Sequence, residues 1–226
     1  MLDSIFEHYD TIVVLDTETT GIHCKRDEII ELAAVALDGS GNQREMDELI
    51  FLSEGRSLPP MISELTGITP QLLHDRGRSK QVAAERFVEL LSAPRTMVAA
   101  FNAQFDLTFL YYFLARLGMA DRLQGLGFLD ILTVYRDRKP YPHKLKNAIE
   151  AYGVDARNSH RAVDDALAAL LVLEAMREEK DDLMEYRNLF GFHPKYGVSG
   201  PRISSVHYAP QSLASETPLY ALYTPV

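Results

Sequence analysis

One cysteine, Cys24, stands in 226 residues, so no internal disulfide and no cysteine-based zinc cluster can form. A lone thiol fits a reducing compartment. Long apolar runs are missing too: none approaches the roughly 18 to 20 residues that span a bilayer. The opening MLDSIFEHYD is acidic where a secretion signal would be basic and apolar. The expectation is a cytoplasmic protein with no membrane partner. Bases are scarce, 23 against 32 acids, for a net charge of −9. That balance argues against capture of duplex nucleic acid over a wide electropositive face. It leaves room for a small site that grips a strand end, where bound cations supply the positive charge.

What is present is an ordinary globular composition, 46% hydrophobic and 24% charged, on a length that suits one sizeable core. Residues 10–52 read as three strands in an antiparallel meander, the last two joined by the turn "GSGN". "PPMISELTGITPQLL" reads as two short helices, the first ended by Gly67 and the second opened by Thr69 and Pro70. Val82, Ala83, Phe87, Leu90 and Leu91 mark one face of an amphipathic helix. "TMVAAFN" and "GFLDIL" read as buried strands, each followed by a helix, and Ala162–Glu179 as a mostly buried helix. A meander followed by alternating strands and helices implies an α/β fold with a mixed sheet and helices on its faces. Residues 191–226 differ: they hold five of eleven prolines and four of eleven tyrosines, at net +1 against −10 for residues 1–190. With no helical or strand period there, the expectation is a domain over 1–190 and an extended, partly ordered Pro/Tyr-rich appendage that docks a partner or packs over the domain without touching the metals.

The chemistry is concentrated in three short stretches. "TIVVLDTETTG" runs a buried strand into Asp16 and Glu18, which share one face of the strand because side chains alternate. Two carboxylates that close repel unless a cation lies between them, and their oxygens suit Mg²⁺ or Mn²⁺. In "FNAQFD", Asp106 follows Asn102 by four residues at a helix start, where Asn102 also reads as an N-cap. In "HRAVDDALAALL", Asp165 lies inside an otherwise apolar helix, which is costly without compensation. His160 precedes Asp165 by five residues, about 140° away on a continuous helix, so a shared site requires His160 to lie in the loop before the helix.

"DTETTG", "FNAQFD" and "HRAVDD", in that order and spacing, resemble the three motifs of the DEDDh family of 3'-to-5' exonucleases, which includes the proofreading epsilon subunit of bacterial replicative DNA polymerase. The resemblance spans roughly residues 8–178 and includes "LTGITPQLL". It implies a ribonuclease H-like mixed five-stranded sheet with helices on both faces. His160 stands where the histidine branch places its base, and Arg161 stands where the tyrosine branch would place its tyrosine. Phe101 replaces a histidine that the family often carries in "HNxxFD", and it can neither bind metal nor carry a proton.

The resemblance implies two divalent ions, Mg²⁺ or Mn²⁺, held by Asp16, Glu18, Asp106 and Asp165, with His160 as general base. The terminal nucleotide is expected against Thr19, Thr20 and Gly21, with Leu65, Thr66, Asn102 and Phe105 as further substrate contacts. The implied activity is removal of 5' mononucleotides from single-stranded or frayed DNA 3' ends, with a DNA polymerase as a candidate partner. Two rival readings remain at this level: an RNA-trimming enzyme of the same family, and a metal-stabilised module that binds a strand end or polymerase without cutting. The intact His160 argues against the second.

Overall fold

The computed structural model describes residues 2–157, 159–212 and 217–223. After a short helix α1 (Asp3–Phe6), strands β1 (Thr11–Thr19), β2 (Ile29–Asp38) and β3 (Gln43–Leu49) form the antiparallel meander. Helices α2 (Pro60–Thr66), α3 (Pro70–Arg76) and α4 (Lys80–Leu90) lead to β4 (Thr96–Ala100), which adds to β1 in parallel. Helix α5 (Ala103–Arg116) and a 3-10 turn cross to β5 (Gly127–Asp130), parallel to β4, giving one mixed sheet in the order β3-β2-β1-β4-β5. Helices α6 (Ile131–Arg138), α7 (Leu145–Tyr152) and α8 (Ala162–Glu179) follow.

Alternation along β1 divides the core in two. Ile12 and Val14 face a layer with Ala166, Ala169 and Leu173 of α8, while Val13 and Leu15 face a layer with Phe87 of α4 and Leu107 and Leu110 of α5. Helices therefore cover both faces, as expected. Local signals also hold: Gly67 ends α2 at a left-handed φ of 72°, and the Thr69 hydroxyl accepts the Leu72 N–H at 3.0 Å to open α3. On α4 the apolar stripe is rotated from the expected one: Ala83, Ala84, Phe87 and Leu90 are buried, whereas Val82 points outward.

The tail packs over the domain, one of the two expected arrangements, and carries more regular structure than an extended segment. Strand β6 (Leu189–Phe192) spans the expected boundary at residues 190 and 191 and pairs in parallel with β7 (His207–Pro210). Phe190, Val206, Ala209 and Gln211 are buried, as is Leu219 in the one-turn helix α9 (Leu219–Leu222). Gln211 Nε2 donates to the Thr133 carbonyl at 2.8 Å and to Asp137 at 2.6 Å. Gly191 lies beneath it: a Cβ there would meet Gln211 Oε1 at 2.3 Å. A four-residue strand pair fastened by scattered side chains leaves no period to read. Residues 213–216 and 224–226 of the tail lie outside the described residues. Among the described residues no helix is long and apolar enough to cross a membrane.

Candidate active site

The C-terminal ends of the parallel strands β1 and β4 open onto a cleft of about 540 Å³, the usual place for a site in an open α/β sheet. Its lining includes Asp16, Glu18, Asp106, His160 and Asp165. Asp16 and Glu18 share one face of β1, as alternation implies, and that face is the one Ile12 and Val14 turn toward α8. Asp165, in the first turn of α8, heads the inward row that continues through Ala169, Val172 and Met176. Oxygens of these three carboxylates lie within 4.8 Å of one another.

Asp106 arrives from the other face of the sheet, on α5. Its Oδ1 accepts the backbone N–H of Thr17 at 3.1 Å and the Thr17 hydroxyl at 2.7 Å. The residue between Asp16 and Glu18 thus turns to the opposite layer and fixes the fourth carboxylate at the strand end.

This much carboxylate in a buried place strains ionisation. Burial, followed by the charges of Asp106, Asp165 and Glu18, pushes Asp16 well above the usual carboxylate range. Glu18 is pushed up to about 8 by burial and then by Glu31 and Asp165. Asp106 reaches about 7 through burial, with the Thr17 hydrogen bonds pulling the other way. An all-oxygen, strongly anionic donor set whose members raise one another's pKa fits hard divalent cations of the Mg²⁺ or Mn²⁺ type.

His160 lies in the loop before α8, exposed, with a left-handed φ of 56°. The Ser159 N–H donates to Asp165 Oδ1 at 3.2 Å, tying that loop to the helix. Asn102 and Phe105 also line the cleft, and the Phe105 ring lies 4.8 Å from that of Phe109. The side chain of Asn102 makes no capping bond to α5. The buried Asp130 at the end of β5 takes that role, accepting the N–H groups of Asn102 and Ala103 at 3.1 and 2.9 Å. Sequence reasoning missed Asp130, although "GFLD" repeats the pattern of an apolar strand ending in an acid. It also missed Lys144 and Lys146, which line the cleft from the start of α7.

The remaining expected contacts sit apart from the cleft lining among the described residues. The Thr19 hydroxyl donates to the Gly21 carbonyl at 2.6 Å, and the Thr20 hydroxyl accepts the Glu28 N–H at 2.9 Å. Gly21 has an internal reason to be glycine, because a Cβ would meet Asp27 Oδ2 at 2.4 Å. Leu65 is exposed at the end of α2, while Thr66 is buried with its hydroxyl bonded to Ile62 and Ile68. Phe101 is half-buried in the cleft wall, its ring 6.1 Å from that of Tyr135.

The five-stranded mixed sheet, with acidic side chains gathered on one cleft, has the ribonuclease H-like frame that the three motifs imply. The exonuclease family profile matches residues 13–173, and the chain belongs to that family. It is 29% identical over 181 residues to the DNA polymerase III subunit epsilon of Treponema pallidum, covering 76% of this chain and 79% of that one. It is 32% identical over 206 residues to the PolC-type DNA polymerase III of Thermotoga petrophila, across 84% of this chain but 14% of that much longer protein. It is 33% identical over 175 residues to the 3'-5' exonuclease DinG of Bacillus subtilis, across 74% of this chain and 18% of that protein. In fold it is similar to E. coli exonuclease I in a zinc-bound complex with single-stranded DNA: TM-score 0.70, 21% identity, 79% of this chain and 42% of that one.

Proposed function

We propose that the chain is a divalent-metal-dependent 3'-to-5' exonuclease that hydrolyses the last phosphodiester bond of single-stranded or frayed DNA and releases 5' mononucleotides. The observation that carries this reading is the convergence of Asp16, Glu18 and Asp165 within 4.8 Å, with Asp106 and His160 on the same cleft. Asp16, Glu18, Asp106 and Asp165 would hold two ions, which when bound supply Lewis-acid charge to the scissile phosphate. His160, on the same cleft, takes the proton from the attacking water as general base. Water oxygen bonds to phosphorus as the bond to the 3' oxygen breaks, and that oxygen leaves on the shortened strand. Asn102 and Phe105 hold the terminal nucleotide, Phe105 by stacking, which tolerates any base.

DNA as substrate is supported by the names of the relatives, two of them DNA polymerase III proteins, and by the single-stranded DNA bound to the similar exonuclease I. The two DNA polymerase III relatives also support a DNA polymerase as partner, beside which the activity would serve proofreading. A labelled single strand and a mismatched primer, each in DNA and RNA form, incubated with Mg²⁺ or Mn²⁺, test the reading. Mononucleotides released one at a time from DNA 3' ends are expected. Internal cuts, 5' polarity or activity in chelator would overturn it, and RNA cut in preference to DNA would overturn the assigned substrate.

A further inference from the structure

Glu31 is a carboxylate that the hydrolytic chemistry leaves unused. It is fully buried on β2, directly across from Glu18 in the β1–β2 register and on the same face of the sheet. Like charges in that relation repel, and a buried carboxylate without partners is costly. One segment offsets both costs. Arg161 donates Nε–H and Nη2–H to Glu31 Oε1 at 2.8 and 2.5 Å, and the Ala162 backbone N–H donates to Oε2 at 2.9 Å. Asp47 Oδ2 lies 3.9 Å from the same guanidinium.

The position of Arg161 gives this pairing its meaning. It stands between His160 and the first residue of α8, and its carbonyl accepts the Asp165 N–H at 3.1 Å. A single β2 carboxylate thus grips both the turn that bears His160 and the helix start that bears Asp165. His160 adopts a left-handed φ of 56°, a conformation that persists only where its surroundings enforce it. Neutralising Glu31 would need only a positive charge nearby. Two N–H groups on one oxygen, with a backbone N–H on the other, also fix direction, which a lysine cannot do.

We propose that Glu31 is a positioning residue whose grip on Arg161 and the Ala162 N–H holds His160 in register with the carboxylates. The proposal rests on the hydrolytic reading above. The test compares the full chain with Glu31→Gln, Arg161→Gln and Arg161→Lys, using a labelled DNA single strand in saturating Mg²⁺ and amide hydrogen exchange over residues 159–165. Each variant should lose about tenfold to a hundredfold in kcat, the scale of a misplaced reacting group, with KM within about threefold of the parent. Exchange over 159–165 should quicken while the sheet stays protected. Arg161→Lys is decisive because it keeps the charge and loses the fork, and it remains available if Glu31→Gln fails to fold. Parental kcat in folded Arg161→Lys, or unchanged exchange in that segment, would overturn the proposal. If the parent itself cuts no strand, the hydrolytic reading fails, and the exchange measurement alone decides the grip.

Discussion

Thr17 donates both its backbone N–H and its hydroxyl to one oxygen of Asp106, at 3.1 and 2.7 Å. Asp16 and Glu18 face one core layer and α5 packs in the other, so this contact carries a carboxylate from the far layer to the same strand end. Thr17→Val keeps the shape and removes only the hydroxyl. Loss of a donor to a buried carboxylate costs about 1–3 kcal/mol, so metal-loaded protein should melt lower and the Mg²⁺ concentration for half-maximal turnover should rise several-fold. Parental values in both a thermal melt and a Mg²⁺ titration would show that Asp106 is held by other means.

Asp16 and His160 should separate metal binding from proton transfer. Asp16→Asn should abolish hydrolysis and weaken Mg²⁺ binding by calorimetry, yet melt at the parental temperature or a few degrees higher in chelator, because carboxylate repulsion is relieved. His160→Ala should bind Mg²⁺ nearly as the parent does while kcat falls on the order of 10²- to 10⁴-fold, the usual worth of a general base. A His160→Ala protein that cuts at the parental rate would make the histidine a bystander.

Metal-free protein should lose stability as pH rises from about 5 to about 8. Glu18 and Asp106 have folded pKa values raised to about 8 and about 7, from ordinary values of 4.5 and 3.8, and Asp16 is raised as well. A raised acid favours the fold below its unfolded pKa, and that contribution is lost as pH climbs through the folded pKa. Carboxylates held low by partners, such as Glu28 and Asp182, act oppositely but below about 4.5, outside this window. Excess Mg²⁺ should flatten the decline, since binding draws the protons off, and calorimetry should register their release as a buffer-dependent heat. A metal-free melting temperature that climbs between pH 5 and 8 would contradict the electrostatics of the cluster.

Removal of residues 191–226 should destabilise the protein before it affects chemistry. The cut falls inside β6, strips the buried Val206, Ala209, Gln211 and Leu219, and uncovers Phe190. It also frees Gln104, which donates to the Ser199 and Pro201 carbonyls and accepts from the Tyr208 hydroxyl two residues before Asp106. A melting temperature at least 10 °C lower, or insoluble protein, is expected from losing several buried side chains worth about 1.5–3 kcal/mol each. A truncated chain that melts as the parent does would restore the tail as an independent appendage.

Local spacing by itself determined much of this protein. Two-residue alternation placed Asp16 and Glu18 on one face, and the five-residue step from His160 to Asp165 meant that a shared site required the histidine to lie in the loop before the helix. Gly67 and Thr69 marked helix ends because left-handed backbone and hydroxyl capping are properties of a residue and its neighbours. Other features were decided only when distant segments met. Asp106 reaches Thr17 across 89 positions, Arg161 reaches Glu31 across 130, and Asp130, 28 residues on, takes the cap that Asn102 was expected to supply. Pairings at such separations leave no period in the chain, since each partner alone looks like an ordinary acid, base or threonine. The tail illustrates the same physics: its anchors are single side chains, Gln211 and Leu219 among them, whose burial depends on surfaces built by residues some 80 positions earlier.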